Sequence, residues 1–145
     1  MNIKIKRVTK ELPLPQYKTE GAAAFDFYAR ETTIVPAGGE ILVPTNFIIE
    51  TPPGYTLLIS ARSSISKHFP GLFLNNAPGI VDSDYAGNTD EIFIAISNHK
   101  SHDITINKGD RFAQGRFSQV TRARWQEVEK MDNTDRGGYG STGLE

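Results

Sequence analysis

One short segment, residues 76–87, combines an amide, a carboxylate and an aromatic ring that could act together on a small polar ligand. Its Asp82 follows two apolar residues, Ile80 and Val81, and stands at the start of a turn-rich stretch. A carboxylate in this position could take a proton from a water molecule and make that water a nucleophile for hydrolysis. Composition alone also allows Asp82 to be a turn-capping residue, and it leaves Asp84 as an equal candidate for the base.

Asn76 and Tyr85 in the same segment could select a nucleoside. A side-chain amide both donates and accepts, so an oriented Asn76 could distinguish uracil, which accepts at O4 and donates at N3, from cytosine, which reverses both. A buried polar group left unpaired costs about 1–3 kcal/mol, which is enough for such selection. The ring of Tyr85 could pack flat beneath a deoxyribose, where a 2′-hydroxyl would collide with it. The plain alternatives are a turn asparagine and a core tyrosine.

Two other segments carry groups suited to phosphate. Arg62 offers a planar fork of donors to phosphate oxygens, and Ser63 and Ser64 add hydroxyl donors directly after it. Gln114 lies in a later strand pattern and could reach the same phosphates. The alternatives are a helix-capping serine beside a surface arginine, and an ordinary turn over residues 108–110.

The last fifteen residues, 131–145, differ in composition from the rest of the chain because they are rich in glycine and poor in apolar side chains. Arg136 in this tail could fold down onto a terminal phosphate, and Tyr139 could stack on a base. Neighbouring glycines, among them Gly138, would let the main chain approach a ligand closely. We therefore predict a β domain over residues 1–130 and a flexible arm over residues 131–145, although a disordered terminus is the plain alternative.

Short strands with frequent glycine and proline turns must position these groups, and this pattern favours a sandwich or barrel. A proline at position 44 interrupts one strand pattern and indicates an edge or a bulge. Apolar residues at 92, 94 and 96 alternate with 93, 95 and 97, which indicates a strand covered on both faces. The best helix candidate is one or two turns over residues 63–68. The predicted strands cover residues 3–8, 40–49, 55–61, 92–97, 104–106 and 111–120.

Composition narrows the function further. The chain has 145 residues and a net charge of −1, so one domain is expected and binding to bulk nucleic acid is not. It has no cysteine, which excludes disulfides and thiol chemistry, and its three histidines show no metal-ligand spacing. No apolar stretch is long enough for a signal peptide or a membrane span, so a cytoplasmic protein is the default expectation.

The order of these segments resembles that of the five motifs of the trimeric deoxyuridine triphosphatase (dUTPase) family. Residues 23–27 resemble its first motif, 62–64 the second, 79–87 the third, 108–114 the fourth and 135–143 the fifth. The resemblance implies a jelly-roll-like β domain in a homotrimer that shares its active sites between subunits. It also implies hydrolysis of dUTP to dUMP and pyrophosphate with magnesium, which keeps uracil out of DNA and supplies dUMP for dTMP synthesis.

The resemblance also implies a role for each matching residue. Asp82 would activate the attacking water, Asn76 and the main chain of residues 79–81 (Gly79, Ile80 and Val81) would read uracil, and Tyr85 would exclude ribose. Asp26 would help to position the magnesium shell through water. The phosphates would be held by Arg62, Ser63, Ser64 and Gln114. The closing arm would contact the substrate through Arg136, Gly138, Tyr139 and Ser141.

Three positions depart from the family pattern: Ala24 replaces a usual glycine, polar residues 88–91 follow the third motif, and Arg136 directly precedes Gly137 and Gly138. With this shortened spacing, whether Arg136 reaches the γ-phosphate stays open. The spacing also suggests a phage-type or Gram-positive subgroup of the family. The rival readings are a dCTP deaminase, a non-catalytic nucleotide sensor with a regulatory protein partner, and a structural jelly-roll subunit. The Asp82 and Tyr85 pairing argues against the deaminase.

Overall fold

The structure is a computed structural model that describes residues 1–138. Within this range the chain is built from short strands and a single four-residue helix. The elements are β1 Lys4–Arg7, β2 Phe25–Tyr28, β3 Thr33–Val35, β4 Glu40–Pro44, β5 Phe47–Glu50, β6 Tyr55–Ala61, α1 Ile65–His68, β7 Leu72–Leu74, β8 Gly79–Val81, β9 Phe93–Asn98, β10 Ile104–Ile106 and β11 Arg111–Gln119. The prediction of an all-β chain is confirmed.

The strands form four antiparallel sheets around one core, a jelly-roll-like barrel. The largest sheet has the order β2-β11-β6-β8, the second has the order β4-β9-β7, and β1-β5 and β10-β3 form two small sheets. All the pairings are antiparallel. The core draws apolar side chains from every sheet, and its largest fully buried members are Phe27, Phe47 and Phe112. No helix within residues 1–138 is long and apolar enough to span a membrane.

The interruption predicted at residue 44 is confirmed. β4 ends at Pro44, and β5 begins at Phe47 after a buried turn. β4 is an edge strand of its sheet, where a residue without an N–H leaves no ladder hydrogen bond unmade. Asn46 in this turn has a φ of 75° and is fully buried. Its amide side chain accepts from the N–H of Thr9 at 2.7 Å and donates to the carbonyl of Thr9 at 3.0 Å, which stabilises the left-handed conformation.

One face of the β4-β9-β7 sheet remains exposed in the single chain. Leu42, Phe73 and Phe93 are 58%, 56% and 46% exposed, and all three point away from the core. The prediction that both faces of β9 are covered is therefore wrong for an isolated chain, because only the face of Ile94 and Ile96 is buried.

Gly115 lies in the middle of β11, where three core side chains leave no room for a methyl group. A Cβ atom at this position would come within 2.7 Å of Phe27 Cε2, 3.0 Å of Phe25 Cζ and 3.1 Å of Leu57 Cδ1. We expect Gly115→Ala to lower the free energy of unfolding by about 1–3 kcal/mol, the usual effect of overpacking a core. Urea denaturation would measure it, with Gly21→Ala as the control because open space surrounds a Cβ at Gly21. Equal stability of the two variants would show that the core accommodates the extra carbon.

After β11 the chain leaves the barrel. The described residues 120–138 form neither helix nor strand, and all of them are exposed. They include Trp125, which is 94% exposed, together with Val128 and Met131. With Val120, four large apolar side chains in residues 120–138 thus lie outside the core of this chain.

Candidate active site

The register of the largest sheet places three polar residues in one row. Asp26 of β2 lies opposite Gln114 of β11, and Gln114 lies opposite Ser60 of β6. Residues directly opposite one another in antiparallel strands point to the same face. The amide of Gln114 donates to the carbonyl of Ala61 at 2.9 Å, so the side chain lies along the end of β6 near Arg62.

Asp26 holds two arginines at this end of the sheet. Its Oδ1 forms an ion pair with Arg62 Nε at 2.8 Å, and its Oδ2 accepts a hydrogen bond from Arg111 Nη1 at 2.9 Å. Arg62 also donates to the carbonyl of Arg111 at 2.9 Å, which closes the cluster. The Asp26 side chain is about 10% exposed, whereas those of Arg62 and Arg111 are 20% and 39% exposed. A buried carboxylate thus orients two guanidinium groups that still reach solvent.

Ser63 and Ser64 follow at the start of α1. Ser64 is the N-cap residue of this helix, but its hydroxyl makes no capping hydrogen bond. Ser63 is exposed, and the main-chain carbonyl of Arg62 accepts from the N–H of Ile65 at 3.0 Å. The short helix predicted over residues 63–68 is confirmed as Ile65–His68. Both hydroxyl groups are available to a ligand next to Arg62.

The four residues predicted to read the base surround one small cleft. Asn76, Gly79, Ile80 and Val81 line a space of about 80 Å³ together with residues of β6 and β9. A Cβ at Gly79 would lie 3.4 Å from Ile59 Cβ, which shows how closely β8 approaches β6. Since β8 is an edge strand, one side of its main chain is not paired with another strand in the described part of the chain. This unpaired edge of β8 borders the cleft within residues 1–138.

Asp82 and Asp84 both lie in an open cleft of about 470 Å³ directly after β8. Tyr55 and Thr56 line the same cleft, and so does Arg122 from the segment after β11. Asp82 and Asp84 are both exposed, and the main-chain carbonyl of Asp82 accepts from the N–H of Tyr85 at 3.3 Å. The turn therefore holds Asp82 at the end of the strand with its carboxylate toward solvent, as a base that activates water requires.

Tyr85 is 42% exposed, so it is not the core tyrosine of the plain alternative. Its hydroxyl donates to the main-chain carbonyl of Glu91 at 3.0 Å. The ring is thus fixed at one end while much of its surface remains accessible.

The two groups of residues lie at opposite ends of β6. Arg62 follows the last residue of this strand, whereas Val81 pairs with Leu57, so Asp82 comes beside Thr56. Thr56 and Arg62 are six positions apart along extended chain, or about 20 Å at the usual rise of a strand. A triphosphate is much shorter than this distance. Arg62 and Asp82 therefore lie at opposite ends of β6 in one chain.

The tail residues are described only in part. Arg136 is exposed, Gly137 has a φ of 78°, and a Cβ at Gly138 would meet nothing within 4 Å. Tyr139 and Ser141 lie outside the described residues.

Magnesium is the cofactor implied by the resemblance, and the residues present fit it only through water. Residues 1–138 contain no group of three or more acidic or histidine side chains that could hold a metal ion. Both oxygens of Asp26 bond to arginine, yet each carboxylate oxygen has a second acceptor site that can take a water. Mg²⁺ commonly keeps several waters and binds one or two carboxylates plus substrate phosphates. Asp26 is therefore suited to accept a hydrogen bond from a water molecule bound to Mg²⁺.

Three residues in these contacts were not identified from the sequence. Arg111 stands in the fourth motif, three positions before Gln114, and that position was the available signal. Glu91 and Arg30 form a largely buried ion pair at 2.8 Å, far apart in sequence. No local pattern could have indicated their pairing, because sixty-one positions separate them.

Comparison with known proteins finds relatives that match nearly the whole chain. A family model described as dUTPase matches residues 10–143. The chain is 40% identical over 150 residues to the deoxyuridine 5′-triphosphate nucleotidohydrolase of Dictyoglomus turgidum, with 99% of both proteins covered. It is 44% identical over 150 residues to that of Caldanaerobacter subterraneus subsp. tengcongensis, with 98% of this chain and 97% of the relative covered.

A solved structure supports the fold. The dUTPase of Staphylococcus bacteriophage 80alpha with dUPNHPP has a TM-score of 0.84 against this chain, at 21% identity over 99% of both chains. That structure comes from work on phage dUTPases, which are said there to control the transfer of virulence genes by a proto-oncogenic G protein-like mechanism. At this identity the likeness concerns the fold alone.

Proposed function

Since the chain belongs to the dUTPase family and hydrolyses dUTP, we propose that Asp82 is the general base that activates the attacking water. The water attacks the α-phosphorus, Asp82 takes its proton, and pyrophosphate leaves on the opposite side. The exposed carboxylate next to the base cleft is the observation that carries this assignment. Catalysis then depends mainly on positioning and on stabilising charge at the phosphates.

Asn76 and the main chain of residues 79–81 read uracil in this proposal. The support is their position around one cleft and the unpaired side of β8 in the described chain. An edge strand can exchange main-chain hydrogen bonds with the polar edge of a base much as it would with another strand. The Asn76 amide then distinguishes uracil from cytosine. Tyr85, which is half exposed, lies beneath the deoxyribose and excludes a 2′-hydroxyl.

The arginine cluster at the other end of β6 binds the phosphates. Arg62, Ser63, Ser64 and Gln114 donate to phosphate oxygens, and Arg111 adds a second guanidinium oriented by Asp26. Magnesium on the triphosphate would draw charge from the phosphate oxygens, and Asp26 would contact its water shell.

We further propose a homotrimer whose active sites combine residues of different subunits. Two observations support it: the distance between Arg62 and Asp82 along β6, and the exposed apolar face of Leu42, Phe73 and Phe93. An exposed apolar patch on one sheet indicates a contact surface. Cyclic symmetry would place the arginine cluster of one subunit at the Asp82 cleft of the next. The exposed Trp125 of the chain after β11 supplies further apolar contact area.

Residues 131–145 form an arm that closes over the nucleotide in this proposal, with contributions from Arg136, Gly138, Tyr139 and Ser141. The full exposure of the described part, residues 131–138, supports it, since these residues make no core contacts that closure would have to break. A closing segment excludes water and completes a site.

Truncation before Asp135 tests the arm. We expect the shortened protein to keep its fold by circular dichroism, because the barrel ends at Gln119, and to lose at least about tenfold in kcat/KM for dUTP. Full activity of the truncated protein would show the arm to be passive.

The function itself is tested by product analysis with magnesium, in which dUTP, dCTP, dTTP and UTP are offered separately. We expect dUMP and pyrophosphate from dUTP alone. Deamination of dCTP would reassign the chain to the related deaminase activity. Binding of dUTP without turnover would favour a nucleotide sensor. A soluble nucleotide substrate points to the cytoplasm as the site of action, and a regulatory protein partner stays a prediction.

A further inference from the structure

The hydroxyl of Tyr85 is hydrogen-bonded to a segment, residues 88–91, that has no role in the site proposed above. It donates to the main-chain carbonyl of Glu91 at 3.0 Å. Glu91 ends the polar stretch of residues 88–91 that follows the third motif. The tilt of the Tyr85 ring therefore depends on where the main chain of Glu91 lies.

The side chain of Glu91 holds that main chain in place. It is a carboxylate only 6% exposed, and its Oε1 accepts from Arg30 Nε and from the main-chain N–H of Asn46, both at 2.8 Å. Asn46 is itself buried and bonded through its side chain to Thr9. The N–H of Ile92, the next residue, donates to the carbonyl of Phe47 at 2.9 Å. The carboxylate thus joins the β4–β5 turn to the segment that carries the acceptor for Tyr85.

The rest of the segment is also held on both sides. Asp90 Oδ2 accepts from the N–H of Gly87 at 2.6 Å, and the N–H of Asp90 donates to the carbonyl of Gly87 at 3.1 Å. Lys6 Nζ on β1 donates to the carbonyl of Asn88 at 2.8 Å. The polar stretch is therefore a closed turn fixed to the barrel, and its least exposed anchor is Glu91.

We propose that Glu91 is a positioning residue that sets the Tyr85 ring and thereby determines how strongly the enzyme excludes ribonucleotides. The inference rests on the proposed role of Tyr85 beneath the deoxyribose. The Tyr85 ring can exclude a single 2′-hydroxyl only if it is held in a fixed position, since a small displacement of the ring would make room for the extra oxygen. A buried ion pair with directed hydrogen bonds holds a main-chain carbonyl at a defined position more firmly than an apolar contact would. Glu91 touches neither the base nor the phosphates in this arrangement and acts through the tyrosine.

The test compares kcat/KM for dUTP and UTP in the full-length protein with magnesium. Glu91→Gln keeps an acceptor for the N–H of Asn46 and removes the charge that holds Arg30. We expect the dUTP-to-UTP selectivity ratio to fall by about tenfold or more, a typical effect of misplacing a positioning group. Glu31→Gln is the matched control, because Glu31 forms an ion pair with the same Arg30 at 3.2 Å but its side chain is 59% exposed. Its ratio should equal that of the wild type.

A double-mutant cycle separates positioning from a structural role. Tyr85→Phe removes the hydrogen bond directly and should also lower the ratio. If Glu91 acts through the hydroxyl of Tyr85, then adding Glu91→Gln to Tyr85→Phe should change the ratio little further. Additive effects, or equal losses with both nucleotides at an unchanged ratio, would overturn the proposal. Should Glu91→Gln not fold, an unchanged ratio in Tyr85→Phe, which keeps the ion pair, overturns it as well.

Tyr85→Ala distinguishes failure of this inference from failure of the proposed function. An unchanged ratio in Tyr85→Ala would show that Tyr85 does not exclude ribose, and the assignment of the sugar site would then be wrong. A lowered ratio in Tyr85→Ala, with wild-type ratios in both Tyr85→Phe and Glu91→Gln, would reject the Glu91 inference alone.

Discussion

Replacement of Asp82 by asparagine is expected to lower the rate of dUTP hydrolysis by at least about 10²-fold, the contribution of one well-placed general base. Asparagine has nearly the shape of aspartate but cannot take a proton from water. Asp82 is exposed, and it is its main-chain carbonyl, which the substitution keeps, that accepts from the N–H of Tyr85 and holds the turn. Folding and the affinity for dUTP should therefore remain nearly unchanged. Single-turnover kinetics and equilibrium binding of dUTP would measure the two effects separately.

Asp84→Asn is the matched control for this prediction. Asp84 lies in the same open cleft, two residues further on, and the sequence alone did not separate it from Asp82. We expect a much smaller loss of rate from Asp84→Asn. The reverse result, a large loss from Asp84→Asn and a small one from Asp82→Asn, would move the general base to Asp84 and leave the rest of the site in place.

Mixed oligomers of two inactive variants are expected to recover activity. Asp82→Asn lacks the base and Arg62→Ala lacks a phosphate ligand, so each homotrimer should be nearly inactive. Arg62→Ala leaves Asp26 bonded to Arg111, so the fold should survive. If each site takes Asp82 from one subunit and Arg62 from its neighbour, random association of equal amounts makes about one quarter of the sites intact.

The measurement is dUTP hydrolysis after the two variants are unfolded together and refolded, with each variant treated alone as the control. Sedimentation would establish the trimer and the mixing. Recovery near the expected fraction would support shared sites. Mixed trimers that remain as inactive as their parents would place Arg62 and Asp82 in the same site of one chain, against the separation along β6.

Local patterns predicted most of the strands, including the three-residue β10, and missed β2, β3, β7 and β8. The predicted bounds for residues 55–61 and 104–106 match β6 and β10, and the break at Pro44 matches the end of β4. The strands β3, β7 and β8 read Thr-Ile-Val, Leu-Phe-Leu and Gly-Ile-Val, so they lack the alternation that Ile-Thr-Ile shows in β10. β2 alternates only over Phe25, Asp26 and Phe27, and it is buried on both faces. These strands form because β9, β10, β11 and β6 lie beside them.

The sequence by itself determined the chemistry that is available to this protein. The residue types and their order indicated a base, a base-reading amide, a sugar-excluding ring and a phosphate cluster, because these properties belong to individual side chains and short segments. Tertiary structure alone decided how these groups are arranged. Asp26 orients Arg62 and Arg111, and Glu91 anchors Tyr85, because strands distant in sequence pair in one register. The same register places Arg62 and Asp82 at opposite ends of β6, since antiparallel pairing with β8 sends the chain away from Arg62 as it approaches Asp82.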